Sequence, residues 1–426
     1  HPAFHAYFSI TGSGPGILAE ALIAALNVNG MLWRTSPSAT ELEEVVVDWV
    51  RQMLDLPETF RGMLTDSASM STLVALAAAR EAADLDVRQR GLAGRADVPL
   101  LRIYTSEDAH SSIEKAAITL GLGRDGVRTI PTDDQFRMDV VALEDAIRED
   151  ARFGYRPLAI VPTVGTTSTT AVDPVDAIAD IRDELAAELG TPIWLHVDGA
   201  YGGMAAIHPD FRWALDGVGR ADSFVTNPHK WLFTPIDASV LLVRDPDVLV
   251  RAFSLVPEYL TTDTEGVTDF MDWGVQLGRR FRALKLWMVI RYFGVDGLRR
   301  RIRHHVDLAH DFAAWIARED DFELVINPGF STVCFRATPA WLTDEPKDDE
   351  SDDPVDAFNR DLLARINASG EAYLSHAVVG GRYVLRLAVG NLRTDADRMT
   401  VTKACIRRVI DELAAAHGER RASYEQ

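Results

Sequence analysis

Apolar and polar positions change period repeatedly along this chain, and each change marks an element. Pro15 to Asn27 is apolar and Ala-rich after a Gly/Ser turn. Leu42, Val45, Val46, Trp49, Val50 and Met53 then recur at helical spacing, behind the capping-box patterns Ser38-x-x-Glu41 and Thr40-x-x-Glu43. Pro57 ends that helix. Residues 1–60 therefore read as a helical segment. Beyond it, short β-rich runs alternate with helical ones. Strands are expected at Leu100–Tyr104, Gly126–Ile130, Leu158–Pro162, Ile193–Val197, Ser223–Thr226 and Ala238–Val243. Helices are expected from Ser69, Ser111, Val140 and Pro174. Such alternation predicts an α/β fold, with a mostly parallel sheet covered by helices on both faces.

From about residue 300 the period changes again. A long helix leads to alternating strands at Ser331–Arg336 and Tyr383–Leu387, and a last helix spans about Asp395 to Ala415. This predicts a smaller C-terminal α+β domain. The organisation is then 1–60 helical, 61–300 a large domain and 301–426 the small one, with no internal repeat.

Composition narrows the function classes. The 426 residues are 47% hydrophobic and 25% charged, as in a globular protein. A net charge of −20 disfavours general binding of nucleic acid or anionic membrane. The acid is densest in Asp344–Asp356, read as a solvated loop. Cys334 and Cys405 are too few for a disulfide framework or a multi-cysteine metal site, and no metal is expected. No apolar run is long enough for a membrane span, and no signal peptide is seen. A cytoplasmic location is the expectation.

Ligands of open α/β sheets sit beyond the carboxyl ends of the strands. Two motifs lie there. One is Trp194-Leu-His-Val-Asp198-Gly-Ala200-Tyr201-Gly-Gly203, a carboxylate after a buried strand followed by small residues. The other, Thr226-Asn-Pro-His229-Lys230-Trp231, puts a lysine after the next strand. Alone, the Asp also reads as a turn or cap residue and the Lys as a solvated one. Together they suggest pyridoxal phosphate, which needs an amine for a Schiff base and a carboxylate to keep its ring nitrogen protonated. Asp66-Ser67-Ala68-Ser69 opens a helix, where free N–H groups favour a phosphate, although a serine there also serves as a simple cap. His110 follows the first of the expected strands.

These residues resemble the aromatic L-amino acid decarboxylase family, the DOPA decarboxylase-like group II pyridoxal phosphate decarboxylases. The likeness runs from His1 to about His417. It is strongest in Phe4–Phe8, Ser36–Glu43, Ser67–Arg80, Thr105–Glu114, Gly165–Thr167, Leu195–Gly202, Asn227–Leu232 and Leu277–Trp287. The resemblance implies fold type I of the pyridoxal phosphate enzymes, with a seven-stranded sheet, and a homodimer with shared active sites. It implies that Lys230 carries the cofactor, Asp198 meets its ring nitrogen, His110 stacks on one face and Ala200 packs on the other. Ser67, Ala68, Ser69, Asn227 and His229 would hold the phosphate, and Thr167 would lie near the phenolic oxygen. Tyr259 would return a proton to the substrate's α-carbon from a loop reaching the partner's site.

Decarboxylation of Tyr/DOPA, Phe or Trp/5-hydroxytryptophan to an arylalkylamine and CO₂ is the implied activity. The alternatives are an aromatic aldehyde synthase and a decarboxylase of a non-aromatic amino acid. A non-catalytic relative of the fold is a further reading. Tyr rather than Phe at 259 favours plain decarboxylation. Tyr7, Phe8, Asn29, Met31 and Ser331 fall at substrate-side positions; Asn29 and Met31 stand where animal relatives place Ile and Phe. The family also carries a helical segment ahead of the position of His1, so such a segment is expected to be missing here. His196 is expected to pack in the core, and the run Arg279-Arg280-Phe281-Arg282 to form ion pairs across the dimer or with the acidic surface.

Overall fold

The apolar runs around Leu158, Ile193 and Leu241 carry no polar face, so they must be covered on both sides. In the computed structural model they form the centre of a sheet. The structure describes residues 1–8, 10–255, 266–343 and 353–424. Its contacts gather these into two units. The larger holds Gly12–Thr167 and Ala171–Arg299; the smaller holds His1–Thr11, Ser168–Thr170 and Arg300 onward. Residues 1–60 are thus divided between the two.

The larger unit carries β1 (Arg61–Thr65), β2 (Leu100–Ser106), β3 (Val127–Ile130), β4 (Tyr155–Val161), β5 (Trp194–Asp198), β6 (Ser223–Thr226) and β7 (Ser239–Val243). They form one seven-stranded sheet in the order β1-β7-β6-β5-β4-β2-β3. Neighbours from β6 to β3 are parallel, and β7 runs antiparallel to both β6 and β1. All strands but β7 therefore point their carboxyl ends to the same edge. Every residue of β6 and β7 is buried, which requires cover on both faces. Helix Ala68–Ala82 lies against β1 and β4–β7, and its alanines allow close approach. Leu76 and Ala79 of this helix pack with Ile103, Leu158 and Val161, while Val74 and Ala78 pack with Met63 and Leu241. Each large apolar side chain so buried contributes about 1.5–3 kcal/mol.

The smaller unit has an antiparallel sheet of β8 (Phe322–Leu324), β9 (Thr332–Ala337), β10 (Ser375–Val379) and β11 (Arg382–Ala388), in the order β10-β11-β9-β8. Its core joins Phe312, Ile316, Val333, Phe335, Leu362, Leu385 and Ile406.

Several expectations are corrected by this packing. β1 was not expected; five residues with four consecutive buried positions show no period that marks a strand. The long helix begins at Ala283 rather than near 300, and is broken at Gly294, whose φ of 65° only glycine adopts readily. Neither capping box forms. The helix runs Pro37–Met53, which puts Ser38 and Thr40 inside it. Glu41 instead takes the Trp33 indole N–H at 3.0 Å, and Glu43 is buried with Arg279. The acidic stretch is not all loop. Asp353 caps helix Pro354–Ser369 by accepting the Val355 N–H, and Asp356 pairs with Arg336 at 2.7 Å. Residues 344–352 lie outside the described residues.

Candidate active site

Five strands of the larger unit end beside a residue singled out from sequence, and all five ends lie on one edge of the sheet. At the end of β5, Asp198 is 4% exposed. Its backbone is fixed on both sides: its N–H donates to Pro162 O at 2.9 Å and its carbonyl accepts the Val164 N–H at 2.8 Å. Its Oδ1 accepts the Ala200 N–H at 3.0 Å. The glycine between them is required, because a Cβ on Gly199 would lie 2.4 Å from the Phe224 ring. Ala200 is buried and its carbonyl accepts the Asn227 N–H at 3.2 Å, joining this segment to the one after β6.

That second segment is the short helix Pro228–Trp231, with Asn227 ahead of it. The Lys230 N–H donates to Asn227 O at 2.9 Å. His229 is buried and its Nδ1 accepts the Ala238 N–H at 2.9 Å. A neutral His229 therefore carries its proton on Nε2, which lies 3.4 Å from the Asn227 amide nitrogen. The Asn227 Oδ1 is buried with no partner among the described residues. Turning that amide gives the imidazole N–H an acceptor and leaves the NH₂ as a donor at the strand end. Burial and the neighbouring Lys230 charge push the His229 pKa down to about 4, against the charge of Asp237.

After β1, Ser67 caps helix Ala68–Ala82. Its Oγ accepts the Met70 N–H at 3.3 Å and donates to Asp66 Oδ1 at 2.8 Å. Ser69 is exposed in the first turn. After β2, His110 has one solvent-open side, and its Nδ1 accepts the Ser112 N–H at 3.1 Å. Crowding by protein atoms lowers its pKa; the Asp198 charge opposes this and the Lys230 charge adds to it. His110, Asp198 and Lys230 thus share one electrostatic neighbourhood. After β4 comes the turn Gly165-Thr166-Thr167, in which Thr167 is exposed.

The residues fit pyridoxal phosphate. A lysine amine, a buried carboxylate held by a neutral N–H, the amide NH₂ that the turned Asn227 leaves as a donor and a helix N-terminus bearing serines are the groups that cofactor asks for. The pattern of the pyridoxal-dependent decarboxylase conserved domain matches residues 1–338. The chain belongs to the pyridoxal-dependent decarboxylase family. It is 40% identical over 420 residues to tyrosine/DOPA decarboxylase 2 of Papaver somniferum, covering 92% of this chain and 77% of that protein. It is 42% identical over 405 residues to phenylacetaldehyde synthase of a Rosa hybrid cultivar, covering 92% and 77%. The crystal structure of Oryza sativa TDC with PLP and tryptamine superposes with a TM-score of 0.89 at 39% identity, covering 97% of this chain and 84% of that one.

This decarboxylase places the other expected residues as follows. Asn29 is exposed and Met31 half-buried; Asn29 Oδ1 accepts the Arg279 N–H at 2.9 Å and its amide lies 3.1 Å from Met31 Sδ. Tyr7, Phe8 and Ser331 belong to the smaller unit. Tyr7 is 67% exposed and its N–H donates to Ser375 Oγ, the Arg386 guanidinium lies over the Phe8 ring, and Ser331 is fully buried. Tyr259 lies outside the described residues. His196 is fully buried with Nδ1 2.8 Å from Ser223 Oγ.

The run at 279–282 pairs within the larger unit. Arg279 meets Glu43 at 2.6 Å, Arg280 meets Glu20, and Arg282 meets Asp237 at 2.9 Å. Two features went unnoticed in the sequence. Asp173, fully buried, accepts the Thr163 and Met138 N–H groups at 2.7 Å each and so holds the strand end ahead of Gly165. Lys285, with no exposed surface, meets Glu20 at 2.5 Å. Asp173 stands before Pro174 with no motif of its own, and Lys285 lies in the Leu277–Trp287 block of the resemblance, which gives it no role. Among the described residues, no cluster of three or more His, Cys, Asp or Glu is placed to hold a metal, and no helix is long and apolar enough to cross a membrane.

Proposed function

We propose that this chain decarboxylates an aromatic L-amino acid (Tyr/DOPA, Phe or Trp/5-hydroxytryptophan) to its arylalkylamine and CO₂. The observation that carries the reading is the convergence of Lys230, Asp198 and His110 on one edge of the sheet, in a chain about 40% identical to aromatic amino acid decarboxylases. When bound, pyridoxal phosphate supplies an electron sink for the pair left behind as CO₂ departs.

Lys230 anchors the cofactor and yields to the substrate's amine. Asp198 keeps the ring nitrogen protonated. His110 covers one face of the ring and Ala200 supports the other, while Thr167 faces its phenolic oxygen. The hydroxyls of Ser67 and Ser69, the N–H groups at Ala68, and Asn227 with His229 bind the phosphate. Tyr259 delivers the proton to the α-carbon. Tyr7, Phe8, Asn29 and Met31 are the candidate contacts for the side chain of the substrate, and Ser331, fully buried, is a candidate only through its neighbours.

A cytoplasmic homodimer with shared sites suits this assignment. Helix Gly14–Leu26 supports it: Ile17, Leu18, Leu22 and Leu26 are all exposed on it, an apolar face a second copy would cover. The helices of residues 12–60 are then the interface, 61–300 the cofactor domain and 301–426 the small domain.

The second reading is an aldehyde synthase, favoured by the 42% identity to a phenylacetaldehyde synthase. A panel of L-amino acids assayed with added cofactor for CO₂, amine, aldehyde and peroxide decides. Amine equal to CO₂ from an aromatic substrate supports the proposal. Aldehyde with peroxide selects the second reading, and CO₂ from glutamate or histidine alone contradicts both. Tyr259→Phe is expected to lower amine and raise aldehyde; unchanged amine output removes Tyr259 from the proton step.

A further inference from the structure

The segments that carry Ala200, Lys230 and Thr167 come from three different strand ends, so something must fix their spacing. One aromatic ring touches all three segments. Tyr201, directly after Ala200, stacks on Trp231, directly after Lys230; the ring centroids are 4.8 Å apart and the planes 4° from parallel. Both rings are buried, Tyr201 to 4% exposure and Trp231 to none. The same tyrosine lies against the turn before Thr167. A Cβ on Gly165 would lie 3.4 Å from Tyr201 Cδ1 and 2.9 Å from Gly202 N. Gly165 has a φ of 88°, and the Gly202 N–H donates to Val164 O at 3.1 Å, so this turn is fastened to the tyrosine's own neighbour.

We propose that Tyr201 is a positioning residue, whose ring, clamped between the Gly165 turn and Trp231, sets the spacing of Thr167, Ala200 and Lys230 in the cofactor site. The inference rests on the cofactor roles proposed above for those residues. A stacked pair of this kind is stiff, because each ring has only two side-chain torsions and both rings are packed on every side. Loss of the ring leaves the segments attached to the sheet but free to shift at their ends. A displacement of about 1 Å there is enough to cost catalysis heavily.

The test compares Tyr201→Leu, Trp231→Leu, the double variant and Tyr201→Phe. Binding of pyridoxal phosphate is titrated on the apoenzymes; kcat, KM and the visible circular dichroism of bound cofactor are measured on the holoenzymes. Each Leu variant is expected to weaken cofactor binding about 10-fold and to lower kcat with KM near the parent value. The double variant is expected to fall short of the product of the single losses by about 5-fold. Tyr201→Phe restores binding, kcat and dichroism. Parent-like cofactor affinity and kcat in both Leu variants overturn the proposal, as does a Phe variant as impaired as Leu. Should the Leu variants not fold, Tyr201→Met, which fills the volume without a ring, decides: about 3-fold weaker cofactor binding supports the clamp, and parent-like binding overturns it. Lys230→Ala and Asp198→Asn separate the two readings. If these behave as the parent, the cofactor site itself is misassigned; if they fail while Tyr201→Leu is normal, only the clamp is wrong.

Discussion

The larger unit buries two sets of charged side chains, and they are satisfied differently. In one set every charge meets an opposite charge. Glu43 and Arg279 pair at 2.6 Å with side chains 5% and 4% exposed, and Asp237 sits between Arg282 at 2.9 Å and Lys285 at 3.7 Å. In the other set Asp198 is as deeply buried, yet its carboxylate is held by a neutral backbone N–H, and its charge reaches His110 and His196 only through space. A buried carboxylate without a cation costs several kcal/mol unless a cation arrives. The paired set is architecture. Asp173 is also held by neutral N–H groups, but one on each oxygen, whereas Asp198 takes a single N–H on Oδ1 at a strand end. We read Asp198 as reserved for a ligand, and a protonated ring nitrogen is the cation proposed for it.

The contrast can be broken from either side. The largest effect belongs to Asp198→Asn. It is expected to lower turnover by roughly 10²–10⁴-fold while the melting temperature of the apoenzyme stays near the parent value. A large drop in apoenzyme stability would move Asp198 into the structural set. Arg279→Met should do the reverse, since it leaves Glu43 buried without its cation; a loss of about 3–5 kcal/mol in unfolding experiments is expected. The next effect is a pH dependence. His5 and His305 are buried in the smaller unit, and burial pushes their pKa values down from 6.5, to about 4 and about 3. Both are neutral in the folded protein where the unfolded chain binds protons. Stability is therefore full above pH 6.5 and falls as the pH drops towards 4, by at most about 1.4 kcal/mol per pH unit for each histidine. Urea midpoints at pH 7 and pH 5 check this, and His5→Gln should flatten the slope. The smallest effect is at the surface. Arg365 and Asp361 form a half-exposed pair one helical turn apart, and Arg365→Ala should shift the melting temperature by no more than about 1 °C.

The residues proposed for the chemistry stand out in the sequence, and the structural set does not. Asp198, Lys230 and His110 stand directly after apolar strands, so period alone places them at strand ends. The sheet then brings those ends together through parallel neighbours. Glu43 and Arg279 are separated by more than half the chain. Glu43 sat in an apparent capping box, and Arg279 in a basic run that looked like surface. Only the tertiary fold makes them partners, and it overrides the local cap signal. β1 was hidden for a related reason. It is an edge strand whose partner β7 comes from far along the chain, and its one exposed residue, Arg61, leaves no alternation to read. The Tyr201–Trp231 stack joins motifs that were each recognised, but spacing in sequence says nothing about two rings lying parallel.

The most direct measurement is CO₂ release from aromatic L-amino acids by the cofactor-loaded protein, with Lys230→Ala alongside. The account predicts equal CO₂ and amine from the parent and at least about 10³-fold less from the variant, with visible absorbance of bound cofactor in the parent that Lys230→Ala loses. A variant that decarboxylates like the parent, or a loaded parent that releases no CO₂ from any aromatic amino acid, would contradict it.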